Sequence, residues 1–260
     1  MLPKNIRLHL TLWIFIILSF IILAVYLIFR VSEYSINFKS RTIEKTTLLV
    51  IDSDPENAAV YLDDDPDSFV GNTPLELHYL YPKIYAIKIE KDGYKPYERT
   101  YDLKAGKYEN VQATLFLKDI AISNSSETEL KNDAMMGIEE VPKNILDGLN
   151  AGATDICLDK NKGKAIYKIG SELWLYQKDV AEKEQNQILA RYLNNIFKVK
   201  FYSDFSHILF VIDNKLHIIE LTGTNDTVLF LINQNDFWPS KDGSLIYFKE
   251  AGQVKKAKIR

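Results

Sequence analysis

One uninterrupted apolar segment, residues 10–29, constrains this chain of 260 residues more than any other feature. Only Thr11 and Ser19 interrupt it, and both side chains can bond back to helix carbonyls. A helix of this length rises about 30 Å, which matches the hydrocarbon core of a bilayer. The segment therefore predicts a single transmembrane helix that contacts the lipid bilayer.

A cleaved signal peptide is the alternative interpretation of this segment. Signal peptides have a shorter apolar core of about 7 to 15 residues, followed by small residues at a cleavage site. Here the segment is longer and ends in the bulky residues 25–29. Trp13 and Tyr26 also lie near its two ends, where amphipathic rings favour the membrane interface. We expect an anchor that is retained.

The orientation of the anchor is less strongly determined by the flanking charges. Lys4 and Arg7 precede the span, while Arg30, Lys39 and Arg41 follow it. Because long soluble segments translocate largely regardless of such charges, the short amino-terminal tail is expected in the cytoplasm. The soluble domains are then extracytoplasmic.

Composition excludes several classes of site. The single Cys157 excludes an intrachain disulfide and a cysteine zinc site, and the four histidines are scattered. Residues 47–117 carry 13 acidic and 7 basic side chains, a balance that phosphates would repel. The chain is therefore expected to bind no metal, cofactor or nucleic acid.

Short runs of alternating apolar residues, cut by Asp, Pro and Gly, fill residues 47–117 and predict a small antiparallel β-sandwich. Its later strands are expected at residues 75–80, 84–89, 97–103 and 111–117. The turns between the strands are more specific, because Asp92-Gly93 is a hairpin signal and Gly71 and Pro74 bound a strand.

Five motifs in this region resemble the PEGA domain family in order and spacing. They are Ser53-Asp54-Pro55, Ala58-Ala59-Val60-Tyr61-Leu62-Asp63, Gly71-Asn72-Thr73-Pro74-Leu75, Tyr85-Ala86-Ile87-Lys88-Ile89 and Lys91-Asp92-Gly93-Tyr94. The resemblance implies a β-sandwich found in envelope proteins beside membrane anchors, with a structural or binding role and no catalysis.

The sequence departs from the family pattern at two turns and one loop. Asn57 stands where the family has Gly, and Pro82-Lys83 replaces its later Pro-Gly. The acidic segment 63–67 replaces a short hairpin. Its four carboxylates could bind Ca²⁺, but a solvated hairpin tip explains them more simply.

Residues 118–153 are polar and net acidic, and we interpret them as a linker with a short docked turn around residues 145–149. Residues 154–260 then carry a weak repeat, in which residues 165–167 correspond to 208–210 and 245–247, at offsets of 43 and 37. Four strands in about 40 residues resemble the blades of WD40-type or TolB-like β-propellers. Only two to three blades fit, so we expect a partial propeller or a stack of open sheets. The predicted fold class is thus mainly β: one helix at 10–29, a PEGA-like sandwich and a blade-like repeat domain.

No set of residues indicates catalysis. Buried or turn positions explain His207, His217 and Cys157 without a chemical role. The same holds for strand aromatics that could line a carbohydrate site, namely Trp174, Phe201, Phe237 and Trp238, and for the scattered carboxylates Asp155, Asp159, Asp204, Asp213 and Asp242.

The sequence favours a non-enzymatic envelope protein that displays binding domains to an envelope protein or a cell-wall polymer. Two alternatives remain open. One is a sensory protein or an enzyme that processes carbohydrate or peptide, which would need two carboxylates facing each other across the bond that is cleaved. The other is an assembly factor that reads protein termini.

Overall fold

The computed structural model describes residues 4–31, 34–37, 41–63, 68–135, 141–233 and 236–260. Most of the described elements are strands, as the segments of alternating apolar residues predict. The chain divides into two compact units, which are described separately. One comprises residues 1–89 and 100–114, and the other residues 90–99 and 115–260.

The first unit begins with one helix and a hairpin. Helix α1 covers Lys4–Val31, and strands β1 (Tyr34–Asn37) and β2 (Thr42–Lys45) pair in antiparallel fashion. The side chains of α1 are described from residue 12 to residue 28, and most are apolar and exposed. The described residues include no helix long and apolar enough to cross a membrane, so the structure gives no support to the transmembrane helix predicted at 10–29.

Seven strands follow in two sheets. They are β3 (Thr47–Asp54), β4 (Ala59–Leu62), β5 (Phe69–Asn72), β6 (Leu75–Leu80), β7 (Ile84–Glu90), β8 (Tyr97–Asp102) and β9 (Tyr108–Thr114). The sheet orders are β6-β3-β9 and β5-β4-β7-β8. Alternate residues along β3, such as Leu49 and Ile51, are fully buried, which gives the predicted period of two.

The expectation of purely antiparallel pairing was wrong for one pair of strands. Strands β3 and β9 run parallel, with Leu48 opposite Tyr108 and Asp54 opposite Thr114. The alternation of apolar residues shows which face of a strand is buried, but it carries no information on the direction of the neighbouring strand.

Motif residues of this region stabilise its turns. Asn57, which stands where the family has Gly, takes a left-handed conformation with a φ of 60°. The buried hydroxyls of Ser53 and Thr73 lie 2.6 Å apart, and the Ala58 N–H donates to Thr73 Oγ1 at 3.0 Å. Their described contacts are therefore structural.

The second unit contains three four-stranded antiparallel sheets. Its elements, in chain order, are β10 (Ala121–Asn124), α2 (Glu127–Asp133), α3 (Lys143–Leu146), β11 (Thr154–Leu158), β12 (Lys164–Ile169), β13 (Glu172–Gln177), a 3₁₀ turn (Glu182–Glu184), β14 (Asn186–Arg191), β15 (Val199–Phe201), β16 (His207–Ile212), β17 (Lys215–Glu220), β18 (Thr227–Leu231), β19 (Phe237–Pro239), β20 (Leu245–Glu250) and β21 (Gln253–Lys258).

The first two sheets consist of consecutive strands, as predicted, and the third sheet departs from this pattern in one outer strand. Strands β11 to β14 form the first sheet and β15 to β18 the second. The third has the order β10-β21-β20-β19, so its outer strand comes from the chain that precedes the first sheet. The fold thereby joins the beginning of the repeat region to its end.

The segment predicted as a linker, residues 118–153, contains β10, α2 and α3. Ile145 of α3 packs with Leu158 and Tyr167 of the first sheet. Leu130 of α2 packs with Tyr247 of the third sheet, whose hydroxyl donates to Asp133 Oδ2 at 2.8 Å. The described parts of this segment therefore cover apolar surface on the first and the third sheet.

The repeat alignment needs one correction. The closing pairs of the three central hairpins are Ile169 with Glu172, Ile212 with Lys215, and Glu250 with Gln253. These pairs give offsets of 43 and 38 residues, where the sequence alignment gave 43 and 37. The third repeat is thus aligned one residue away from its predicted position. The hairpin turn fixes the register of this repeat, and the apolar triplet does not.

Candidate functional site

The corrected register brings three chemically distinct side chains to equivalent positions. Cys157 lies opposite Ile166, Lys200 opposite Leu209 and Trp238 opposite Tyr247, each on the first strand of its sheet. All three side chains are partly exposed. The three residues thus occupy the same register position, each in its own sheet. We therefore treat Cys157, Lys200 and Trp238 as one group and call it the first-strand cluster.

Lys200 and Trp238 are in direct contact. The ammonium Nζ of Lys200 lies 4.9 Å from the centroid of the Trp238 ring and 5.9 Å from that of Phe237. Such a position over an aromatic face is favourable for a cation. Within the described parts of the chain, Lys200 Nζ has no hydrogen bond to an acceptor and no ion pair with a carboxylate.

A second set of equivalent residues lies two positions earlier on the same strands. Asp155 Oδ2 accepts a hydrogen bond from the Val199 N–H at 2.5 Å, and its Oδ1 lies 3.3 Å from Lys198 Nζ. The same offsets place Asp236 at the corresponding position of the third sheet. Asp155 thus holds β11 against β15 and neutralises Lys198, whereas no described carboxylate forms an ion pair with Lys200.

Burial determines the protonation of the cluster. It lowers the pKa of Lys200 to about 8, because desolvation disfavours the ammonium form. It raises the pKa of the Cys157 thiol, which therefore stays protonated near neutral pH. The cluster presents an ammonium close to its titration point, a neutral thiol and an indole face.

We expect Lys200→Met to stabilise the protein by about 1 kcal/mol near pH 7, since it removes a partly buried charge. Above pH 8 the ammonium of Lys200 loses its proton in the folded protein, whereas in the unfolded chain it keeps this proton up to about pH 10.5. The unfolded state then binds more protons, so wild-type stability rises towards that of the variant between these two values. Chemical denaturation from pH 7 to pH 10.5 checks this, and a constant difference between the two proteins would contradict it.

One comparison with known proteins concerns the region of strands β3 to β9. A protein-family model described as "PEGA domain" matches residues 46–118. These residues resemble a PEGA domain. The resemblance predicted from the motifs is therefore confirmed, over less than half of the chain.

No curated protein matches the chain at a significant level. Among solved structures it is similar to the tricorn protease, with 13% identity and a TM-score of 0.32 over 67% of this chain and 20% of that one. It is also similar to a chain of a nidogen/laminin complex, with 11% identity and a TM-score of 0.29 over 74% of this chain and 88% of that one. The chain spans about a fifth of the tricorn protease chain. These scores are too low to carry an argument.

The acidic loop of the PEGA-like region, predicted as a hairpin tip or a Ca²⁺ site, lies largely outside the described residues at 64–67. Asp63 is described, and its Oδ2 lies 2.5 Å from Lys83 Nζ. The described part of the chain contains no group of three or more metal-binding side chains.

The two candidate histidines of the second sheet, His207 and His217, each bind a carboxylate. His207 Nδ1 lies 2.6 Å from Asp204 Oδ2, and His217 Nδ1 lies 2.8 Å from Asp226 Oδ1. Burial acts to raise the pKa of Asp204, but hydrogen bonds from His207 and Ser206 outweigh it and lower the pKa overall. Tyr192 also donates to Asp226 at 2.8 Å. Both pairs stabilise loops of the second sheet.

The candidate carboxylates are separated and occupied by turn contacts. Asp159 accepts the N–H groups of Gly163 and Lys164, both at 2.8 Å. Asp204 and Asp242 accept backbone N–H groups in the corresponding turns of the other two sheets. Asp213 accepts from Asn194 at 2.9 Å. The structure therefore places these side chains in turns.

The candidate aromatic residues divide between two places. Phe237 and Trp238 lie at the first-strand cluster, and Phe201 is fully buried between the first and second sheets. Trp174 stacks on Tyr167 at 6.2 Å within the first sheet. Sequence reasoning missed Lys200, although the offsets of 43 and 38 would have aligned it with Cys157 and Trp238.

Proposed function

We propose that this chain is a membrane-anchored, non-catalytic envelope protein whose blade-like sheets bind a ligand or partner at the first-strand cluster. The observation that carries the proposal is the partly exposed ammonium of Lys200, which lies over the Trp238 ring and has no carboxylate partner among the described residues. A charged donor and an aromatic face are the kinds of group that fix and orient a ligand. The PEGA-like residues act as a structural or binding module.

The anchor rests on the sequence of residues 10–29. This segment is apolar along its whole length, and Phe15 and Phe20 expose 72% and 70% of their surface. A helix that is apolar all round needs an apolar environment. In this arrangement the amino-terminal tail is cytoplasmic and the sheets face an envelope protein or a cell-wall polymer.

Protease treatment tests the membrane topology. In intact cells, or spheroplasts where an outer barrier exists, external protease is expected to cut after Arg41. A cytoplasmic protein serves as the control for leakage. Cutting that occurs only after lysis would contradict the extracytoplasmic placement.

Crosslinking tests the binding site. A photoreactive phenylalanine analogue at position 238 is expected to give a discrete adduct in membranes, and Lys200→Met is expected to abolish it. The same analogue at Phe197, which is 51% exposed, is the matched control. Adducts that are equal at both positions, or unaffected by Lys200→Met, would contradict the proposal.

The non-catalytic role is supported by the turn contacts of the carboxylates. Hydrolysis of a glycosidic bond needs two carboxyl groups that face each other across the bond. Asp159, Asp204 and Asp242 instead accept backbone N–H groups in separate turns. No contact among the described residues favours the enzymatic alternative.

A further inference from the structure

The two lysines of strand β15 differ in one respect that points to a ligand. Lys198 Nζ lies 3.3 Å from Asp155 Oδ1, so the protein itself supplies a counter-ion. Lys200, two residues later, contacts the Trp238 ring and has no carboxylate within ion-pair distance in the described chain. Holding a partly buried cation without a counter-ion costs free energy, and an incoming anion recovers that cost.

The charges around Lys200 select the kind of anion. Four titratable groups interact electrostatically with Lys200, namely Cys157, Lys198, Asp155 and Asp236. Lys198 and Asp155 neutralise each other, while Asp236 adds one further negative charge nearby. A dianionic phosphate would be repelled more strongly than a singly charged group by these carboxylates.

The remaining members of the cluster differ in what they can offer a small organic acid. The thiol of Cys157 already donates weakly to the Leu158 carbonyl oxygen at 4.0 Å, so Lys200 supplies the hydrogen-bond donor. The indole of Trp238 offers an apolar face beside the ammonium, where the carbon part of a ligand can pack. The ammonium of Lys200 and the adjacent aromatic face of Trp238 match a carboxylate attached to a small apolar or sugar group.

We propose that the first-strand cluster binds a carboxylate, whose oxygens accept hydrogen bonds from Lys200 and whose carbon skeleton packs on Trp238. This proposal rests on the proposed function, that the blade-like sheets carry a binding site. The carboxylate can belong to a peptide terminus or to an acidic sugar, and the chemistry at Lys200 is the same for both. Binding requires the ammonium form, so the affinity falls as pH rises above about 8.

The single cysteine of the chain provides the reporter. Full-length protein in detergent is treated with iodoacetamide at one fixed pH, and the rate of Cys157 alkylation is measured with increasing N-acetylalanine or glucuronate. We expect one or both acids to slow alkylation in a saturable manner. N-acetylalanine amide, the neutral match, is expected to have no effect, and inorganic phosphate a weaker one.

Two variants separate binding from folding. Lys200→Met is expected to weaken protection about tenfold or more while the circular dichroism spectrum stays unchanged. Lys215→Met removes an exposed lysine of the same sheet and is expected to retain full protection.

Equal protection by the neutral amide, stronger protection by phosphate, or no protection by either acid would overturn the carboxylate assignment. Protection by N-acetylalanine alone would assign a peptide terminus, and protection by glucuronate alone an acidic sugar. If crosslinking from position 238 still depends on Lys200 while neither acid protects Cys157, the proposed binding site stands and only its ligand class is wrong.

Discussion

Gly243→Ala is expected to destabilise the protein by about 3 kcal/mol or more. Gly243 has a φ of +76°, and an added Cβ would lie 2.3 Å from Ser203 Oγ and 2.6 Å from the Tyr202 hydroxyl oxygen. Tyr202 is fully buried and donates its hydroxyl proton to the Gly243 carbonyl at 2.5 Å, so its ring has no room to move. The substitution would therefore separate the second sheet from the third.

Gly252→Ala is the matched control for this prediction. Gly252 has nearly the same φ, +78°, but an added Cβ would meet nothing within 4 Å. Gly252→Ala is therefore expected to cost only the free energy of holding a non-glycine residue at a positive φ, about 1 kcal/mol. Denaturant midpoints of the two variants give the comparison, and equal losses would show that the Tyr202 contact contributes nothing.

Ile145→Ala is expected to cost about 2 to 4 kcal/mol. Ile145 is 1% exposed and packs with Leu158 and Tyr167 of the first sheet. The adjacent Leu146 is 45% exposed, so Leu146→Ala is expected to cost about 0.5 kcal/mol or less.

The same pair of variants tests whether residues 118–153 are part of the folded stack. A flexible linker would lose nothing from either substitution. Thermal unfolding of both variants distinguishes the two cases, and near-zero effects at both positions would contradict the packing of α3 on the first sheet.

Regular alternation made most of the strands predictable. Strand β6, residues 75–80, has the predicted bounds, and β7 and β8 differ from prediction by one residue at their ends. Their inward residues alternate in period two and their turns carry Asp-Gly or Gly-Asn. The local sequence therefore determines both the strands and the turns between them. The parallel pairing of β3 with β9 depends on the path of the chain and leaves no such local mark.

Strand β10 and helix α2 of residues 118–153 were missed for different reasons, whereas the docked turn around Ile145 was expected. Strand β10 is exposed along its whole length and has no apolar alternation that could reveal it. Helix α2 did carry a signal, because Ser126 and Glu129 have the spacing of a capping box. In the structure the Ser126 hydroxyl accepts the Glu129 N–H at 3.1 Å. The pattern was present, but the polar composition around it dominated the interpretation.

The first-strand cluster was hidden by a one-residue error in the repeat. Aligning the apolar triplets places Lys200 against Phe237, whereas aligning the hairpin turns places it against Trp238. Apolar triplets tolerate a shift by one because both faces of these sheets are buried. Turns tolerate no such shift, so they are the better guide to register in a stack of sheets.

The most direct test of the binding site is the titration of Lys200 itself. The protein is labelled with ¹³Cε-lysine, the Lys200 signal is assigned by its loss in Lys200→Arg, and its pKa is measured with and without N-acetylalanine and glucuronate. We expect a pKa of about 8 in the free protein and a rise towards the ordinary value of 10.5 with one or both acids. A value near 10.5 in the free protein, or one that neither acid changes, would contradict the assignment of this cluster as a carboxylate-binding site.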